Sequence, residues 1–335
     1  MSEQELSLVI PVFNEEDNLH ELIERCTRVC EELGRSYEIV LVDDGSSDNS
    51  RSILEASATS DDNKVVAVFL NRNYGQHPAV LAGLAQSRGE VVVTLDADLQ
   101  NPPEEIPRLL EKIDEGCDVV GSVRENRQDS WMRRLPSKIV NTVVRKTTGV
   151  GMTDYGCMLR AYRRNVVEAI LSCHERSTFI PILANSFASK TGEVRVRHSE
   201  RVAGDSKYSF WKLINLQFDL LTSMTSFPLR LLSIGGGLLA ILGVLAGLSI
   251  GVMRLVYGPE WAVEGVLTVI AILFVFTGVQ LFGLGLLGEY LSRVYDDVRG
   301  RPRYFVQRVI AGSNPESGQD AHAVVQISRK AEGQA

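Results

Sequence analysis

Asp96 and Asp98 stand two residues apart in EVVVTLDADLQNPPEE, residues 90–105, and Gln100 follows at the same spacing. On an extended backbone, residues at i and i+2 project to one side, so two carboxylates and an amide oxygen would converge. Hard oxygen donors at a strand end suit Mg2+ or Mn2+ that a substrate diphosphate also chelates. A solvated acidic turn is the other reading, and the pair alone does not choose between them. Further polar groups follow other apolar runs: Asn14 and Glu15, Asp43 and Asp44, Asn71 and Arg72. Asp154 lies in the glycine-flanked GMTDYGCMLR, residues 151–160, and either serves catalysis or caps the next helix. Arg124 closes an apolar run at 118–124. Arg197, Arg201 and Lys207 sit close together in a polar stretch; they either reach phosphate or guard a solvated edge strand at 193–201.

The elements that must position these groups read clearly. Residues 6–10, 37–42, 65–70 and 91–95 are short runs rich in Val, Ile and Leu, the pattern of strands buried on both faces. Residues 18–33 carry Leu19, Leu22, Ile23, Cys26, Val29, Cys30 and Leu33 at helical spacing, with Gly34 to close the helix; residues 78–87 predict another. Strand, polar turn and helix in alternation predict a mostly parallel, Rossmann-like α/β sheet with right-handed crossovers. Ligands collect at the carboxyl ends of the strands in such sheets, which is where the acids stand.

Several classes fall away. No G-x-G-x-x-G follows the first strand and no G-x-x-x-x-G-K-[ST] occurs, so dinucleotide-fold dehydrogenases and P-loop NTPases lack their key element. A net charge of −7 gives no global nucleic-acid signature, and no nucleic-acid partner is expected. Five cysteines show no CxxC; Cys26 and Cys30, four apart on a helix, are either a metal or redox pair or buried thiols. Residues 1–6 are polar and lead into a strand, so no secretory signal is expected.

The mean hydropathy of +0.01 averages two unlike halves. Residues 231–253 and 265–288 contain no charged side chain. Each is long enough for a hydrocarbon core roughly 30 Å thick at about 1.5 Å per residue, which predicts two transmembrane helices. Basic residues crowd both outer flanks, from Lys207 to Arg230 and from Arg293 to Arg308, which places both termini and the acid-bearing domain in the cytoplasm. Residues 126–148 set Arg127, Arg133, Arg134, Lys138, Arg145 and Lys146 against Trp131, Leu135, Ile139 and Val143. Such a helix lies either in a bilayer interface or on the sheet. The expected organisation is a catalytic domain at 1–205 with that helix at 126–148 and a juxtamembrane amphipathic helix at 206–228. A two-helix membrane domain at 229–290, a cytoplasmic segment at 291–311 and a disordered tail at 312–335 complete it.

PVFNEE, VDDGSSD, LNRNYGQH, LDADLQNPPEEIPRL, DYGCMLRAYRR and HERSTFIPILAN resemble the polyprenyl-phosphate glycosyltransferases of glycosyltransferase family 2, with cover from about residue 6 to residue 310. The resemblance implies a GT-A fold, a UDP-sugar donor, a divalent cation, an undecaprenyl phosphate acceptor in the bilayer, and inversion at the anomeric carbon. It implies that Pro11, Phe13 and Glu15 hold the nucleotide and that Val42, Asp43, Asp44 and Asp96 contribute to its site. Ala97 would lie beside the diphosphate, Asp98 and Gln100 would bind the metal, and Arg124, Arg201 and Lys207 would meet phosphates. A homo-oligomer, a tetramer in the family, is likewise implied.

The acceptor nucleophile of such a reaction is a phosphate oxygen, anionic near neutral pH because its second pKa is about 6. The larger problem is joining a dianion to a diphosphate, which calls for a cation and for Arg124, Arg201 and Lys207. Asp154 is the candidate base or acceptor-orienting group. Competing expectations are a glucose or mannose transferase of the same family and a catalytically silent membrane scaffold. A processive synthase is disfavoured by two spans and the lack of Q-x-x-R-W.

Overall fold

A computed structural model describes residues 4–60, 64–124, 156–173, 179–197, 227–258, 266–299 and 301–311. The four apolar runs are strands β1 (Leu6–Val12), β2 (Tyr37–Asp43), β3 (Val65–Leu70) and β4 (Val91–Thr94). They pair in parallel, with Leu8 opposite both Ile39 and Val93, and Ile39 opposite Val65. Pro11, which has no N–H, lies past the last β1–β4 pair of Val9 with Thr94, so it interrupts no ladder there. Helix α1 (Leu19–Leu33) ends at Gly34 in the left-handed conformation, α2 (Ser50–Thr59) follows β2, and α3 (Gln76–Gln86) follows β3. A 3-10 turn (Pro103–Glu105) and α4 (Ile106–Asp114) lead into β5 (Val119–Arg124).

Beyond β5 the sheet turns mixed. β6 (Arg160–Arg163) runs antiparallel between β4 and β5, pairing Thr94 with Arg160 and Val119 with Tyr162. Helices α5 (Arg164–Ser172) and α6 (Ile180–Phe187) precede β7 (Thr191–Val196), which adds to β5 in parallel as the expected edge strand. The opposite edge is β8 (Val306–Ala311), antiparallel to β3 although it follows the long apolar helices in sequence. The order is β7-β5-β6-β4-β1-β2-β3-β8. Arg51 and Arg308 flank the Phe69 ring at 5.1 and 5.2 Å, and Arg308 also pairs with Glu55, which ties the last strand to α2.

Alternation along the central strands feeds two cores. Leu8, Ile10, Ile39, Leu41, Phe69 and Val93 face α1, α2 and α4; Val9, Val40, Val42, Val68 and Val92 face α3, α5 and α6. Cys26 and Cys30 belong to the first core. Burial pushes both thiols up, Cys30 to about 12, so they are apolar filling and not a redox or metal pair.

The described residues fall into two compact units: one within Met1–Leu135, Thr148–Lys207 and Arg301–Ala335, the other within Pro136–Thr147 and Tyr208–Gly300. The second holds α7 (Phe227–Tyr257) and α8 (Val266–Val298). Among the described residues, one helix is long and apolar enough to cross a membrane, over Leu232–Tyr257. Its Leu238, Leu242, Leu245 and Leu248 are exposed. α8 carries most of the other apolar stretch, 265–288. The two helices meet at small residues: a Cβ on Gly243 would lie 3.1 Å from Phe276, and one on Gly283 would lie 3.3 Å from Leu232. The helix expected at 126–148, residues 206–226 of the one expected at 206–228, and the tail at 312–335 lie outside the described residues; residues 227 and 228 already belong to α7.

Candidate active site

The loops after β1 and β2 are laced together by short polar side chains. Asn14, at φ 55°, tolerates the left-handed region better than most residues. Its N–H donates to Ser46 Oγ (3.1 Å) and its Oδ1 accepts from Ser47 N–H (2.8 Å). Glu15 N–H donates to Ser50 Oγ (3.0 Å), Glu16 N–H to Asp48 Oδ2 (3.1 Å), and Asn49 N–H to Glu16 Oε2 (2.9 Å). The Glu15 carboxylate accepts from Asn18 Nδ2 (2.7 Å). Beside this lacing Phe13 is 46% exposed.

Val42 and Asp43 are buried at the end of β2. Asp43 Oδ1 accepts from Ser46 N–H (3.0 Å), whereas its Oδ2 is buried with no hydrogen-bond partner. A carboxylate oxygen in that state is costly unless an incoming N–H or O–H meets it. Asp44 is different. Its Oδ1 accepts from Tyr74 N–H (2.7 Å) and its Oδ2 from Gly75 N–H (2.8 Å). Burial pushes its carboxyl up, those two N–H groups pull it down, and the neighbouring Asp43 adds to the rise.

At the end of β4 the geometry departs from the sequence expectation. The strand stops at Thr94, and Leu99 sits at φ 56°, so Asp96, Asp98 and Gln100 occupy a turn and not an extended ladder. Gln100 N–H donates to Asp98 Oδ1 (3.1 Å), an Asx turn across the left-handed residue. Leucine holds that backbone because its side chain is 6% exposed within the first core. Just beyond, Arg25 grips Glu104 with two bonds of 2.9 and 2.7 Å and fixes the turn against α1. Ala97 is buried between the two acids.

Asp96 is where the loops converge. It is half-buried, and its Oδ1 accepts from Gln76 Nε2 at 2.5 Å. Burial pushes its carboxyl up to about 7, followed by the charge of Asp98; Arg124 and the Gln76 amide oppose the rise, and Glu15 adds to it. Residues from the ends of β1, β4 and β5 and from the start of α3 therefore act on one carboxylate. Asp154, Arg201 and Lys207 lie outside the described residues. Gln76 carried no assigned role in the sequence reading; the signal was a side-chain amide opening the helix after the third strand. Next to it, His77 stacks edge-on against Phe179 at 5.0 Å, and burial lowers its imidazole to about 4.

No group of three or more His, Cys, Asp and Glu that could hold a metal occurs among the described residues. Asp98 and Gln100 carry oxygen donors on the same turn as Asp96, whose carboxyl burial pushes up to about 7 with the charge of Asp98 adding to the rise; donors of that type fit Mg2+ or Mn2+.

The profile of glycosyl transferase family 2 matches residues 7–171. A Proteus mirabilis protein named undecaprenyl-phosphate 4-deoxy-4-formamido-L-arabinose transferase is 58% identical over 315 residues, 94% of this chain and 97% of that one. A Shewanella sediminis protein of the same name is 60% identical, covering 92% of this chain and 93% of its own. Among solved structures, a mycobacterial protein superposes with a TM-score of 0.50 at 20% identity, covering 67% of this chain and 74% of its own, which supports the α/β fold. The chain is a glycosyltransferase and belongs to glycosyl transferase family 2, alongside these undecaprenyl-phosphate transferases.

Proposed function

We propose that the chain transfers 4-deoxy-4-formamido-L-arabinose from a UDP-sugar to undecaprenyl phosphate, with inversion, at the inner face of a bacterial cytoplasmic membrane. The product would serve the lipid A modification and polymyxin resistance that the resemblance implies. The observation that carries this reading is 58% identity over 94% of the chain to a relative of that name.

The acceptor's phosphate oxygen forms the bond to the anomeric carbon as the bond to the β-phosphate of UDP breaks, and UDP leaves with the electron pair. The acceptor is already anionic near neutral pH, so Asp154 mainly orients it or takes its residual proton. Arg124, Arg201 and Lys207 offset the repulsion between acceptor phosphate and diphosphate. The unpartnered Asp43 Oδ2 suits an N–H of the base, and the exposed face of Phe13 suits stacking upon it. Pro11, Val42 and Ala97 line this path, while Glu15 and Asp96 address the ribose and diphosphate. Asp98 and Gln100 would hold Mg2+ or Mn2+, which supplies charge stabilisation to the departing UDP when bound.

Chain topology supports a two-span anchor. β8 follows both apolar helices yet pairs with β3, so the chain crosses any membrane an even number of times between β7 and β8. With α7 and α8 as the two crossings, the domain at 1–205 and the segment at 291–311 share the cytoplasmic side, and both termini lie there. The bilayer would deliver the acceptor, and a homo-oligomer, a tetramer by resemblance, completes the proposal. Purified full-length protein with undecaprenyl phosphate, Mn2+ and a panel of sugar nucleotides tests it by the mass of the lipid product. Product from the formamido-arabinose donor alone is expected; preferential product from a glucose or mannose donor overturns it.

A further inference from the structure

Two of the acidic sites are joined by a single turn. Asp44 spends both carboxylate oxygens on main-chain N–H groups between β3 and α3, those of Tyr74 (2.7 Å) and Gly75 (2.8 Å). Gly75 stands at φ 96°, ψ 167°, a region essentially closed to other residues, and it precedes the first residue of α3. The approach of the two loops depends on Gly45, beside Asp44: a Cβ there would fall 2.5 Å from the carbonyl carbon of Arg72. Gln76 follows Gly75 directly and donates its side-chain amide to Asp96 Oδ1 at 2.5 Å. The contacts thus run from the end of β2, through one glycine-dependent turn, to the end of β4.

We infer that Asp44 and Gln76 are positioning residues: Asp44 sets the turn, the turn lays Gln76 against Asp96, and Gln76 fixes the rotation of the Asp96 carboxylate for the sugar nucleotide. Asp43, whose Oδ2 is unpartnered, is free to meet the nucleotide directly. The inference rests on the reading of this rim as a UDP-sugar site. Two backbone donors hold a carboxylate in one orientation, and a charge-assisted bond from Gln76 does the same for Asp96.

The test is calorimetric binding of UDP with Mn2+ to full-length protein in detergent, using Gln76→Leu, Gly75→Ala, Asp44→Asn and their pairings with Gln76→Leu. An added Cβ at Gly75 meets no atom within 4 Å, so Gly75→Ala perturbs the turn through its backbone alone. Each single change is expected to weaken UDP binding roughly tenfold, about one charge-assisted hydrogen bond. Each pairing is expected to be no weaker than its worse member, because all act through one chain of contacts. The Michaelis constant for undecaprenyl phosphate is expected to hold within about twofold, since the turn serves the donor. Losses that multiply to roughly a hundredfold in the pairings overturn the inference, as does full affinity in Gly75→Ala. Should Asp44→Asn fail to fold, the Gly75→Ala pairing decides. Wild-type protein that binds no UDP sinks the donor reading itself, a different failure.

Discussion

Asp96→Asn should make the folded protein more stable and a poorer enzyme. Burial and the charge of Asp98 raise the Asp96 carboxyl from 3.8 to about 7, with Arg124 and Gln76 resisting. The sign follows from proton counts. Between those two values the folded state holds a proton that the unfolded chain has released, so stability falls as pH rises across the window. Above about 7 the full penalty stands. Three pKa units amount to about 4 kcal/mol. The side chain is only half-buried, so solvent relaxes part of this and about 2–4 kcal/mol is the working range. Asparagine keeps an oxygen for Gln76 and carries no charge. The gain at pH 8 should therefore be about twice that at pH 5, and at roughly 2–4 °C per kcal/mol it is readily seen in thermal unfolding followed by circular dichroism in EDTA. Mn2+ with UDP should narrow the gap, because a cation relieves the same repulsion in the wild type. A gain equal at both pH values, or a variant less stable at pH 8, would refute the electrostatic account.

Three further outcomes are expected. His77→Phe keeps the edge contact with Phe179 but removes a buried imidazole that protonates near 6.5 when unfolded and near 4 when folded. Wild-type stability is thus lost as pH falls below 6.5, by about 2 kcal/mol at pH 5, and urea midpoints at pH 7 and 5 should show the variant free of that loss. Asp98→Ala should abolish turnover while leaving the unfolding midpoint within a few degrees, since it alters only a turn; turnover of the variant in chelator would remove the metal assignment. Lys207→Ala should cut turnover steeply with little change in UDP affinity by calorimetry, and equal losses in both would move Lys207 to the donor side.

What the sequence could tell depended on how local the cause was. The four parallel strands were legible because both of their faces are buried and most positions are apolar, as in LVIPV of β1. Gly34 marked the end of α1 because only the left-handed cap needed it. β6 was not legible: RAYR carries two arginines, yet Arg160 is fully buried, with its Nε donating to the Cys157 carbonyl at 2.9 Å. No periodicity rule anticipates a charged residue wholly inside a sheet. β8 escaped for a different reason. Its partner β3 lies far back in the sequence across two apolar helices, and only tertiary pairing identifies it. Asp43, Asp44, Asp96 and Asp98 do stand at or just past strand ends, but the expected convergence by strand alternation gave way to the left-handed turn at Leu99.

That turn shows how the fold sustains a strained, repulsive rim. Leu99 in the left-handed region costs about 1–2 kcal/mol, and the raised Asp96 costs more. Neither feature could persist on a marginal scaffold. Here each follows the carboxyl end of a central strand in a sheet with a separate apolar core on either face, and Leu99 is itself buried in one of them. The strain is thus local and opposed by packing of much larger total area. Under the proposed function, an ion and a diphosphate reaching this rim would meet acids already held together against their mutual repulsion. The free energy released as that repulsion is neutralised would then go to binding.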